Sequence, residues 1–98
     1  MTRQISLLVN SQPIPLDYFV AGFIDHTVGG MLAALEGTGA IDTADISIEG
    51  ETVAIDLNNA PVPIKPFVSK IMRNTIVGMV SPLKGVSEIS SLKVSVKR

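Results

Sequence analysis

His26 is the one imidazole in the chain and stands in Asp25-His26-Thr27. A histidine beside a carboxylate is the commonest pairing for general-base chemistry, provided both face a substrate pocket. The helical pattern around it puts His26 on an outer helix face, where an ordinary surface or interface role is the better expectation, so an enzyme is not expected. The chain has no cysteine, which excludes disulfides, thiolate metal sites and cysteine nucleophiles. With a single histidine besides, no metal site within one chain and no cofactor are expected. The remaining polar candidates are Asn10, Asn58 and Asn59, at the start of two loops that run into helices, where a small polar ligand could be hydrogen-bonded. A plainer role competes. Pro13, Pro15, Pro61 and Pro63 stiffen these loops, while Ile14, Leu16, Val62 and Ile64 cover the edge of the core. Neither loop is glycine-rich, so no phosphate cradle is present.

Charge narrows the partners. Net charge is −1 and the isoelectric point is near 5.7, which argues against nucleic acid, because phosphate binding rests on Lys and Arg. Only 17% of residues are charged while 46% are apolar, so part of the surface must be small, neutral or apolar, a composition that favours self-association. Leu16 to Leu35 is the longest apolar stretch but contains Asp17, Asp25 and His26, too interrupted for a membrane span. Ile5 to Val9 is too short for a signal-peptide core. A soluble cytoplasmic protein is the expectation.

These residues belong to a pattern written twice. Laying residues 3–50 on 51–98 gives 12 identities in 48 pairs, among them Asn10/Asn58, Pro13/Pro61, Phe19/Phe67, Gly30/Gly78 and Met31/Met79, where average composition gives roughly three by chance. A repeat of this length is commonly one supersecondary unit that needs its copy to bury a face.

Each copy reads strand, helix, strand. Ile5, Leu7 and Val9 alternate with polar neighbours, as do Ile46 and Ile48, then Val53, Ile55 and Leu57, then Leu92, Val94 and Val96. That period of two marks strands with one buried face. Glu49-Gly50-Glu51 predicts a hairpin between the second and third strands. Between strands, Phe19, Val20, Phe23, Ile24, Thr27, Val28, Met31 and Leu32 recur at helical spacing, and Phe67 to Val80 repeats this. Asp17 suits the N-cap of the first helix and Pro66 the first turn of the second. Gly37 and Gly85 are the expected stops, with Pro82 ending or kinking the second helix near Val80. The order predicts one domain, residues 1–98, as an α+β, ferredoxin-like βαββαβ two-layer sandwich built from an internal duplication. Gly30 and Gly78 are expected where the two helices meet, on a pseudo-two-fold axis. Helices of about 17 residues, roughly 26 Å, outrun strands of about 6 residues, roughly 20 Å, so apolar helix ends are expected to overhang the sheet.

The surface offers a pairing code. Asp17, Asp25, Glu36, Asp45 and Glu49 align with Lys65, Arg73, Lys84, Lys93 and Lys97 in the second copy. An acidic half and a basic half suit pairing between subunits, although each charge is also balanced by simple alternation on a solvated face. Glycine inside a helix costs roughly 1 kcal/mol against alanine, so Gly22, Gly29 and Ala33 on one face predict close approach of a partner. The expected interface is therefore Gly22, Asp25, His26, Gly29, Ala33 and Glu36, meeting Arg73 and Lys84. The outer sheet face, with Ser6, Leu8, Ser47, Ala54 and Ser95, is a second candidate. The function these features favour is a non-enzymatic, homo-oligomerising assembly or regulatory domain, most simply a dimer. The alternative is binding of a small apolar or amphipathic ligand between helices and sheet or at the proline-rich loops.

Overall fold

The computed structural model describes residues 4–35, 42–83, 86 and 88–97. In chain order the elements are β1 (Gln4–Val9), β2 (Gln12–Pro13), α1 (Tyr18–Ala33), β3 (Thr43–Glu49), β4 (Thr52–Leu57), β5 (Ala60–Pro61), α2 (Pro66–Val80) and β6 (Ser91–Lys97). The strands form one antiparallel sheet in the order β2-β1-β6-β3-β4-β5. Alternation along the strands settles which face is covered. Leu7, Val9, Ala44, Ile46, Ile48, Ile55, Leu57, Leu92, Val94 and Val96 are buried and packed with Ile24, Val28, Leu32, Met72, Ile76 and Val80 of the helices. The opposite face, with Ser6, Ala54, Asp56 and Lys93, is open.

The fold is thus α+β with both helices packed against one sheet face, but the strand order departs from the ferredoxin-like one. That arrangement places the first strand of each half at the centre of the sheet. Here the centre is β6 and β3, the last strand of each half, and β1 and β4 lie outside them. Burial follows this order. Ala44, Ile46 and Ile48 of β3 and Leu92, Val94 and Val96 of β6 are all buried, whereas the first inward residues of β1 and β4, Ile5 and Val53, are only partly covered. The central strands are no more apolar than β1 and β4, with three apolar residues in seven against four in six; their fuller burial comes from having a long neighbour on either side.

Two further strands appear where extended loops were expected. Asn10-Ser11 and Asn58-Asn59 are two-residue hairpin loops with φ of 52°, 66°, 51° and 65°. Positive φ at both positions is what a type I′ turn demands, and asparagine tolerates it better than most side chains. The chain then returns as β2 or β5, whose prolines Pro13 and Pro61 end the ladder at either edge of the sheet. A proline there offers no N–H to a further strand, so both edges are blunted. The β3–β4 hairpin is as expected, with Gly50 at φ 57° between Glu49 and Thr52.

Asp17 caps α1, its Oδ1 accepting from the Val20 N–H at 2.8 Å. Pro66 opens α2, which ends at Val80 ahead of Pro82. Both helices stop short of Gly37 and Gly85, which lie outside the described residues. Being shorter than expected, they do not overhang: Leu32 and Val80 are fully buried, and Met31, Leu35, Met79 and Leu83 pack against the core. The bounds of β1, β2, β3 and the hairpin loops recur 48 residues later as β4, β5, β6 and their loops.

Candidate functional site

The helices have two sides of unlike chemistry, and the division is not the one their sequence pattern predicts. On α1, Ile24, Asp25, Val28 and Leu32 face the sheet. At 3.6 residues per turn the opposite side carries Phe19, Phe23, His26, Gly30 and Ala33, all exposed. On α2 the sheet side holds Met72, Ile76 and Val80, and the outer side Phe67, Ile71, Asn74 and Gly78. Exposure reaches 97% at Tyr18, 74% at Phe19, 53% at Phe23, 73% at Phe67 and 47% at Ile71. The chain has one tyrosine, three phenylalanines and no tryptophan, so all three phenylalanines lie on this outer side, and Tyr18 is exposed on the flank of α1. Phe19 and Phe23, one turn apart, touch with ring centroids 6.1 Å apart. Aromatic side chains are the largest apolar groups available for burial, and here none of the four is used in the core.

The expected interface residues are split by this geometry. Asp25 is 2% exposed, so it belongs to the interior and not to the outer face. Gly22 and Gly29 are half-buried on the flank of α1, while His26 and Ala33 are exposed. The Nδ1 of His26 donates to the Gly22 carbonyl oxygen at 2.9 Å, since a carbonyl only accepts. Asp25 is turned inward and His26 outward. Arg73 is half-buried and its Nε donates to the Gly50 carbonyl oxygen at 2.5 Å, which ties α2 to the β3–β4 turn. Glu36 and Lys84 lie outside the described residues. Gly30 and Gly78 do not join the helices to each other: both are exposed, and a Cβ added to either meets nothing within 4 Å. They sit on the outer stripe with the aromatic residues.

The asparagines named as ligand candidates are engaged within the fold. Asn10 Oδ1 accepts from the Ser90 and Ser91 N–H groups at 2.7 and 2.9 Å, and its Nδ2 donates to the Glu88 carbonyl oxygen at 2.6 Å. Asn58 Oδ1 accepts from the Asp42 and Thr43 N–H groups at 2.7 and 3.0 Å. Each asparagine thus fastens a hairpin loop to the first residue of the neighbouring central strand. Asn59 is exposed at the second loop position.

On the open sheet face the cross-strand register explains much of the charge inversion. Lys93 stands opposite Ser47, two pairs along the ladder from both Asp45 and Glu49, and Lys97 stands opposite Thr43. Acidic β3 and basic β6 are therefore neighbours in one chain, and this half of the pattern needs no partner. A shallow depression of about 350 Å³ lies at one end of this face, lined by residues that include Gln4, Thr43, Asp45 and Ser95. Ser95 Oγ donates to Asp45 Oδ1 at 2.6 Å. Among the described residues no group of three or more His, Asp or Glu side chains is placed to hold a metal, and no helix is long and apolar enough to cross a membrane. Comparison with family models, with curated proteins and with solved structures finds no match to this chain, so the outer face of the helices is read from its own geometry.

Proposed function

We propose that this domain is a non-enzymatic association module that forms homo-oligomers through the outer face of α1 and α2. The observation that carries the reading is the exposure of all its aromatic side chains, with the three phenylalanines on one layer, while the core is built from aliphatic residues alone. A monomer gains nothing from that distribution, because burying a phenylalanine is worth about 2–3 kcal/mol relative to leaving it in water. Two other features support the helical layer over the alternatives. Both sheet edges are blunted by proline, and Lys93 and Lys97 of the open sheet face lie diagonally across from Asp45 and Glu49 on the adjacent strand, although Asp45 also stands opposite Asp56. We further read the chain as two copies of one βαβ unit, on the strength of the identities at a 48-residue spacing and the recurrence of element bounds at the same spacing. In that reading the association surface is itself duplicated, one stripe per copy.

Phe19→Glu and Phe67→Glu test the proposal. Each places a charge on the outer stripe without touching the core, so far-ultraviolet circular dichroism stays that of the native chain. Sedimentation should find the native chain as a dimer or larger species and both variants as monomers. Variants that keep the native mass would move the interface away from the helices.

A further inference from the structure

The outer stripes of α1 and α2 are complementary to each other when run in opposite directions. Each has bulk at its N-terminal end, Phe19 and Phe23 on one and Phe67 and Ile71 on the other, and an open glycine towards its C-terminal end, Gly30 or Gly78. Phe19 and Gly30 are 11 residues apart, and so are Phe67 and Gly78, about 16 Å along a helix in both cases. An antiparallel pair of such stripes seats each phenylalanine over the facing glycine at both ends at once.

Bulk alone would allow α1 to meet either helix of another copy, and charge decides between them. Residues 17–33 contain Asp17 and Asp25 and no Lys or Arg, while residues 65–80 contain Lys65, Lys70 and Arg73 and no Asp or Glu. Asp17, Lys65 and Lys70 are exposed. Like helices face to face would bring Lys70 and Arg73 of α2 close to their own copies, whereas unlike helices set them opposite Thr27 and Ile24 of α1 and remove that like-charge juxtaposition. The surface is also large enough for a second copy. At about 200 Å² for a whole aromatic side chain, the exposed parts of the three phenylalanine rings on the stripes come to roughly 400 Å², and Tyr18 beside them on the flank of α1 adds roughly 190 Å². A standard interface covers about 800 Å² per partner, and Ile71 with the small residues of both stripes supplies the difference.

Resting on the association proposed above, we infer that the occupant of the helical face is a second copy of this chain, docked face to face about a two-fold axis parallel to the helices. In this arrangement α1 lies antiparallel on the partner's α2. Phe19 meets the partner's Gly78, Phe23 the partner's Asn74, His26 the partner's Ile71, and Gly30 the partner's Phe67. The two open sheet faces then point outward from a four-layer assembly.

Because the chain has no cysteine, His26→Cys and Ile71→Cys can be introduced singly and together and oxidised at a concentration where the native chain sediments as a dimer. The double variant should give a covalent dimer on a non-reducing gel, and neither single variant should, because like positions are set diagonally apart. Phe23→Cys with Asn74→Cys repeats the test one turn along, and either double variant linking as expected supports the arrangement. A single-cysteine variant that links as readily as the double would mean like helices face each other and would overturn it. Failure of both double variants to link, while both remain dimeric by sedimentation, would also overturn it. A native chain that is monomeric throughout is a different result: it removes the association reading itself and leaves the helical face to another protein segment or a lipid surface.

Discussion

Asn10 and Asn58 combine two demands that few side chains meet together, a left-handed backbone and an amide that reaches a neighbouring strand. Each accepts two backbone N–H groups, so truncation leaves those donors without their acceptor. Asn10→Ala and Asn58→Ala should each lower the free energy of unfolding by about 1–3 kcal/mol in urea titrations. The adjoining positions are the converse case. Ser11 and Asn59 carry side chains at φ of 66° and 65° in a place where a type I′ turn prefers glycine. Ser11→Gly should raise stability by about 1 kcal/mol, the part of the left-handed penalty not offset by lost chain entropy, and Asn59→Gly should gain less because asparagine already tolerates the conformation. These hairpins were hidden in the sequence because neither loop carries the Asn-Gly signature, and the prolines that follow read as stiffeners of an extended loop.

At the scale of elements, the helices separate what their composition blends. Ile24 and Ile76 are fully buried, and truncating either to alanine should cost about 2–5 kcal/mol by loss of contact and an unfilled cavity. Phe19→Ala and Phe67→Ala should change the stability of an isolated monomer by less than about 1 kcal/mol, since most of each ring is in water. Gly30→Ala should act in two directions at once. It gains about 1 kcal/mol of helix propensity, visible as a higher thermal midpoint at low protein concentration, and it weakens association because the facing ring loses its seat. The strands were legible because alternation with a buried face has only one solution. The helices were only half legible: α1 is apolar on nearly every side, so periodicity found the helix without telling the side against the sheet from the side turned outward. Taking Phe19 and Phe23 as core residues turned the interface expectation towards Asp25, which is buried. Strand order was out of reach for a related reason. Four strands with equal alternation can be ordered several ways, and the difference lies in how completely each is covered.

For the whole molecule, the account places an aliphatic core on one side of the helices and the aromatic side chains on the other, held ready for a second copy. In the proposed assembly stability is tied to association, so the thermal midpoint should rise with protein concentration, and the rise should vanish in Phe67→Glu. The most direct test is the mass of the native chain by sedimentation equilibrium across the micromolar range. The account predicts a species at twice the 10.4 kDa chain mass that reverts to one chain in Phe19→Glu; a native chain that stays at a single chain's mass throughout that range would contradict it.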